Sequence, residues 1–298
     1  MVNYPEQVII KTDGGIFNLK INPQRNRDTQ IIESYFISLG SKTNKCVQLS
    51  VPTIESTKKT GTLSWVKADE DCSLEKYIEK GLARHMVLLG LTLARDINPL
   101  LERINFDDTS SFTCELPDNK EYKIPMKQFH IAFHGATWYE YYFDAKLDDD
   151  YDRYCTYKKN LYNPDKKPKY FYFRNDMLQE ELEPLYNSSN SWSEFFGAID
   201  KKYGKKKCGV VYPWLTSAIN IIFENKKIFE NADWYIDLKE NASKNKTALI
   251  PFKSYEPKQG GKKQTRKRKY KFTGNVPYYY YVDIPEVDKM NYKKFLYG

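Results

Sequence analysis

No stretch of the 298-residue sequence approaches the roughly 18 uninterrupted apolar residues that a membrane-spanning helix needs. The opening, MVNYPEQVIIKTDGG, has neither the basic start nor the apolar run of a signal peptide, so the chain reads as unexported, with no membrane partner. Cysteine is scarce and unpatterned: Cys46, Cys72, Cys114, Cys155 and Cys208 are odd in number and form no CxxC pair. That pattern indicates neither a zinc knuckle nor a disulfide framework, and the expectation is reduced thiols in a cytoplasmic protein. The Asn-x-Ser/Thr triplets at Asn187, Asn241 and Asn245 then carry no glycosylation meaning. Acidic residues are missing altogether from Lys258 to Lys271, where eight Lys and Arg stand. Those eight charges equal the whole excess of 47 Lys and Arg over 39 Asp and Glu. The formal charge of +8 therefore belongs to one segment on a neutral body, not to a globally basic protein.

Apolar material is plentiful. Hydrophobic residues make up 41% of the chain and aromatics 15%, enough for a sizeable core and too much for an intrinsically disordered chain. VIIKT and IFNLKI flank Asp13-Gly14-Gly15, a hairpin signal, because those residues tolerate the backbone of a tight turn. From Asp28 to Leu39, Ile31, Ile32, Tyr35, Phe36 and Leu39 recur at helical spacing and predict a helix stopped by Gly40. CVQLSVPTI and TLSWVKA read as strands. Leu82 to Ile97 is the clearest helix: Arg84, His85, Thr92, Arg95 and Asp96 share one sector, and Leu82, Met86, Leu89, Leu93 and Ala94 cover the other side. A strand follows at ERINFDD, then a β-rich insertion over Phe112 to His134 and an aromatic helix over Ala136 to Phe143. DDDYDRY begins a crossing segment. Helices are expected over Asp176 to Tyr186, Trp192 to Tyr203 and Pro213 to Glu224, the second capped by Ser191 with Glu194 three residues on. VPYYYYVDIP reads as a final strand.

Leu63 to Asp107 is thus strand, glycine-initiated helix, strand, an arrangement whose free helix-start N–H groups suit phosphate. At the start of the helix stands Ile78-Glu79-Lys80-Gly81-Leu82-Ala83, and downstream GATWYEYYFDAKL presents Trp138, Tyr139 and Glu140. These features resemble the GNAT family of N-acyltransferases, whose phosphate motif is Gln/Arg-x-x-Gly-x-Gly/Ala and whose later helix carries an aromatic-Tyr-Glu pattern. Ile78 stands where Gln or Arg is usual, and Tyr141 and Phe143-Asp144 replace the family's Lys and Gly-Phe. The resemblance covers the first half of the chain and implies acetyl-CoA or another acyl-CoA as cofactor, held by Lys80, Gly81, Leu82, Ala83 and Arg84. It also implies acyl transfer to an amine acceptor, with Tyr139 at the position of the general acid. For the base, Asp107, Asp108, His130 and His134 are candidates, with Asp107 and His134 carried forward beside Tyr139. His130 and His134, four apart, have no carboxylate in register for an HExxH-like metal site, and none is expected.

The expected fold is α/β (α+β): a GNAT-like mixed central sheet with flanking helices over residues 1–150, and a mainly helical accessory part over 151–298. Within the latter, Lys262, Lys263, Arg266, Lys267, Arg268 and Lys269 of the 258–271 segment could contact nucleic acid or act as a targeting signal. Such GGKK-type basic tracts in a Lys/Asn/Tyr-rich chain resemble proteins of large nucleocytoplasmic DNA viruses, which would place this one in host cytoplasm or nucleus. The alternative to an acyltransferase is a non-enzymatic virion or nucleic-acid-associated protein on a degenerate GNAT-like scaffold.

Overall fold

A computed structural model describes residues 7–239, apart from 13–14, 42, 68–71, 73–74, 77–81, 116–120, 175 and 227–231, together with 253–255 and 279–282. The fold is mixed α/β, with a largely helical middle region. The described residues fall into two compact units, one within 1–105 and 238–298, the other within 106–237.

In the first unit, β1 (Gln7–Thr12) and β2 (Gly15–Arg25) form the expected hairpin, followed by β3 (Ile32–Gly40), β4 (Lys45–Pro52), β5 (Thr60–Val66) and the two-residue β6 (Glu75–Lys76). Neighbours from β1 to β5 pair antiparallel in sequence order, and β6 adds to β2. Helix α1 (Leu82–Ile97) matches its predicted limits and leads to β7 (Arg103–Asp107), whose first residues pair parallel with β5. The helix expected over Asp28 to Leu39 is instead a loop and β3. Asn26 turns the chain by accepting the N–H groups of Asp28 and Thr29, and the β-branched and aromatic residues that follow bury Ile37 and Leu39 between two antiparallel partners. Ladder pairing on both edges outweighs helical spacing there.

Helix α1 lies close against the sheet because Gly90 has no side chain: a Cβ there would sit 2.7 Å from Leu49 Cδ1. Phe17, Leu19, Leu39, Val47, Leu49, Met86 and Leu89 are buried in this unit. His85 and Thr92, which lie in the polar sector of α1 and would be wet on the helical wheel, are buried too, Thr92 by donating its hydroxyl to the Leu88 carbonyl and His85 by packing 5.9 Å from the Phe17 ring. The wet sector is narrower than the helical wheel implies, because the helix buries a face wider than its aliphatic stripe.

The second unit contains a hairpin, β8 (Ser111–Glu115) and β9 (Glu121–Pro125), then α2 (Met126–His134) and α3 (Trp138–Phe143). The β-rich insertion thus ends at Pro125 and not at His134. Gly135, in the left-handed region at φ 70°, closes α2 by donating its N–H to the Ile131 carbonyl. After β10 (Lys146–Leu147), the acidic run leads into α4 (Tyr151–Lys158), a helix the sequence reading missed. Helices α5 (Asp176–Asn187), α6 (Trp192–Tyr203), α7 (Lys207–Val211) and α8 (Leu215–Ile222) precede β11 (Asp233–Asp237), which pairs with β10. Ser191 caps α6 by accepting the Glu194 N–H, while Glu194 reaches the Asn190 N–H in place of the Ser191 N–H expected of a full capping box. Phe171, Phe173, Tyr186, Trp192, Phe195, Phe196 and Trp214 form an aromatic core. Back in the first unit, β12 (Lys253–Tyr255) pairs with β13 (Tyr279–Val282), which adds parallel to β1. The final strand is therefore where the sequence placed it, and the 258–271 segment lies outside the described residues.

The expectation of reduced thiols is overturned. Cys46 and Cys72 form a disulfide in the first unit, and Cys114 and Cys208 one in the second, with Cα atoms 5.7 and 6.0 Å apart; Cys155 is free. Partners separated by 26 and 94 residues leave no motif in the sequence, since folding alone brings them together. Disulfides persist in oxidising surroundings, so the reduced-thiol premise behind a cytoplasmic location falls away. No described helix is long and apolar enough to cross a membrane.

Candidate functional site

In the first unit, the strand-helix-strand segment has a local irregularity. Strand β5 pairs with β4 through Val66, Trp65, Leu63 and Thr62 opposite Val47, Gln48, Leu49 and Ser50, so Ser64 is an extra residue on β5. Such a bulge bends its strand and increases its twist. On its other edge β5 pairs with β7 only through Thr60, Gly61 and Thr62, and the partnership stops two residues before the bulge. Leu63 to Val66 thus have no pairing with β7. Fifteen residues after β5, α1 begins. Lys80 and Gly81 lie outside the described residues; Leu82 is buried, and Ala83 and Arg84 are half-buried in the first turn. That turn contains no acidic residue and one arginine, a charge balance that fits a phosphate at the positive end of a 16-residue helix.

The second unit holds the candidate acid and bases. Tyr139 is buried on α3, its ring 4.4 Å from Phe106 and 4.8 Å from Trp138. Burial, reinforced by the negative charge of Asp108, holds its hydroxyl far above the ordinary tyrosine range, so Tyr139 keeps its proton at any physiological pH. The hydroxyl therefore holds a proton and cannot serve as the base, although the same burial makes it a weaker acid than a free tyrosine. Asp107 is exposed, whereas Asp108 is 2% exposed. Asp108 Oδ1 accepts the Ser110 N–H at 3.2 Å and the Ser110 hydroxyl, and Oδ2 has no hydrogen-bond partner among the described residues. Burial raises the Asp108 carboxyl above its ordinary value, against the pull of the Ser110 bonds and of the Lys127 charge. The structure thus associates Asp108, which the sequence left as one candidate of four, with Tyr139. Ser110 and Lys127 went unnoticed; the Asp-x-Ser spacing at 108–110 is the one available signal, since it suits a side-chain-capped turn.

Glu140, matched to the family pattern, has a structural task. It forms the capping box of α3 with Thr137, accepts the Tyr154 hydroxyl at 2.8 Å and pairs with Lys158. His130 and His134 stand one turn apart on α2 with ring centroids 4.3 Å apart. His130 Nδ1 lies 3.1 Å from the Ala136 carbonyl, which assigns the proton to Nδ1. Burial, then the charges of His134 and Lys207, push His130 down to about 4, against the Ala136 bond. His134 is exposed, and its value is lowered in the same direction by desolvation and Lys207. Among the described residues no group of three His, Cys, Asp or Glu side chains could hold a metal ion.

These shifts predict acid sensitivity. His85, through burial and then the Arg84 charge, and His130 are both lowered from 6.5 to about 4, so each is neutral when folded while the unfolded chain binds a proton below about pH 6.5. Stability should therefore be lost as pH falls from 6.5 toward 4. Asp108 acts in the opposite sense, since its folded carboxyl keeps its proton above the ordinary 3.8 and favours the folded state less as pH rises past that value. Urea titrations across this range should show the midpoint dropping on acidification, and His85→Leu should reduce the drop; an unchanged acid slope in that variant would reject the assignment.

Comparison of the chain with protein-family models, curated proteins and solved structures gave no match. The functional reading therefore rests on the residues and their arrangement.

Proposed function

We propose that the protein is an acyl-CoA-dependent N-acyltransferase of GNAT type, acting on an amine. The observation that supports this reading most is the β5-α1-β7 unit, in which the bulge at Ser64 follows the last parallel pair and leaves Leu63 to Val66 unpaired toward β7. In a GNAT fold an opened parallel pair admits the pantetheine arm, and the start of the helix between its strands seats the pyrophosphate. Lys80, Gly81, Leu82, Ala83 and Arg84 would hold that pyrophosphate through backbone N–H groups and positive charge. The cofactor supplies an activated thioester. Bound there, that group would offer its thioester carbonyl to the amine lone pair with the thiolate as leaving group, and Tyr139, at the position of the family's general acid, would hold the proton that the thiolate takes up. The proton lost by the amine goes to a base, for which the buried Asp108 is favoured over the exposed Asp107 because burial raises its proton affinity. His134 and His130 remain the other candidates.

The test is thermal. Acetyl-CoA should raise the unfolding temperature of the full chain, and Gly81→Glu, which places a negative side chain against the phosphates, should abolish that rise. No shift with acetyl-CoA or any other acyl-CoA would remove the cofactor and with it the reaction. The non-enzymatic alternative rests on Lys258 to Lys271 and predicts salt-sensitive nucleic-acid binding lost on deleting that segment, with no dependence on CoA.

A further inference from the structure

The aromatic core of the second unit is entered by an irregular segment, residues 168–174, in which buried and exposed aromatic residues alternate. Phe171 and Phe173 point inward, against Trp192, Phe195, Trp214 and Tyr186. Tyr170 and Tyr172 alternate with them and are 64% and 50% exposed. Among the described residues neither ring packs on another ring, and neither hydroxyl makes a hydrogen bond.

This exposure is not that of a loose loop. The Gln179 side chain bonds the segment twice, donating to the Phe171 carbonyl at 3.3 Å and accepting the Phe173 N–H at 3.0 Å. The Tyr186 hydroxyl donates to the Pro168 carbonyl at 2.6 Å, and Arg174 Nη2 donates to Ser217 Oγ at 3.0 Å. Two buried phenylalanines and four hydrogen bonds thus hold two tyrosines in water. Around them, residues 166–174 contain Lys166, Lys167, Lys169 and Arg174 and no acidic residue. Lys169 and Arg174 are exposed, Lys166 pairs with Glu224 at 2.7 Å, and Lys167 caps the Tyr186 ring at 3.6 Å.

We propose that Tyr170 and Tyr172, with Lys169 and Arg174, form a binding site for single-stranded nucleic acid. Aromatic faces accept any base by stacking, and the cations supply phosphate contacts and a salt-dependent affinity. Two exposed ring faces on alternate residues suit the unstacked bases of a single strand, one base to a ring, since the bases of a duplex are stacked on one another. A protein partner would use the exposed tyrosines equally well but has no need of the cationic border. The proposal uses no residue of the 258–271 segment and none of the residues assigned to the acyl-transfer chemistry, and it stands or falls independently of the acyltransferase reading.

The experiment is fluorescence anisotropy of the full-length protein with a labelled oligothymidylate of about a dozen nucleotides. Tyr170→Ala and Tyr172→Ala should each weaken binding by roughly 5- to 150-fold, the range that stacking of one base implies. Tyr170→Phe and Tyr172→Phe should bind within twofold of the parent, because the ring remains. Lys169→Glu should flatten the salt dependence. In a variant lacking residues 258–271, the tyrosine dependence should persist. The proposal is overturned if the wild type does not bind at micromolar concentration, if duplex DNA of the same length binds as tightly, or if the double alanine variant, with an unchanged thermal melt, binds like the wild type.

Discussion

Replacing Cys114 and Cys208 together by serine should lower the stability of the protein by about 4–5 kcal/mol. The argument is chain entropy. The two cysteines are 94 residues apart, and tying so long a loop removes more freedom from the unfolded chain than a short tie does. The same relation gives about 3.5 kcal/mol for the 26-residue separation of Cys46 and Cys72, so the two disulfides should rank in that order. The Cys114 bond also anchors the β8–β9 hairpin to α7, where Tyr122 packs 4.2 Å from Tyr212, so its loss removes a covalent tie between elements distant in sequence. Urea midpoints of the two double-serine variants, compared with the oxidised and the reduced wild type, would measure both effects. Equal losses, or a larger loss for the Cys46–Cys72 pair, would contradict the loop argument.

Tyr139→Phe should reduce turnover with acetyl-CoA and an amine by about 10²- to 10⁴-fold, the usual contribution of a positioned general acid. Phenylalanine retains the contacts with Phe106, Trp138 and Phe143, so the fold should be undisturbed and the acetyl-CoA thermal shift unchanged. The loss should therefore fall on the chemical step and not on cofactor binding. Asp108→Asn preserves the side-chain shape while removing the ionisable carboxyl, and should abolish the acidic limb of the pH–rate profile if Asp108 takes the amine proton. Turnover of Tyr139→Phe within threefold of wild type would leave Tyr139 as a packed aromatic. An acidic limb preserved in Asp108→Asn would return the base assignment to the exposed Asp107 or the histidines.

Much of the α/β order was legible because it rests on local signals. The β1–β2 hairpin follows from Asp13-Gly14-Gly15 between β-rich runs, α1 from apolar spacing sustained over four turns, and α6 from Ser191 and Glu194 at its start. Errors arose where two local patterns compete. Ile31, Ile32, Tyr35 and Phe36 satisfy a helical spacing, yet the same residues are strand formers, and the neighbours on either edge decided for β3. Phe129, His130, Phe133 and His134 read as part of a β-rich insertion, and became helix α2 between Pro125 and Gly135. For the candidate site, the sequence located Tyr139 through its flanking Trp138 and Glu140 but could not choose between Asp107 and Asp108. Adjacent carboxylates look alike in a sequence, and only burial separates them.

The sequence by itself determined the class of fold, the position and limits of the long helix, the distribution of charge into a neutral body and one cationic segment, and the residues that resemble an acyltransferase. Tertiary structure alone decided the bulge at Ser64, the burial of Asp108 beside an exposed Asp107, the rigid display of Tyr170 and Tyr172, and the pairing of four cysteines. The physical reason is one of range: helix periodicity, turns and caps are set by residues within a few positions of one another. Disulfide partners 94 residues apart, ladder registers and desolvation depend on what folding brings alongside.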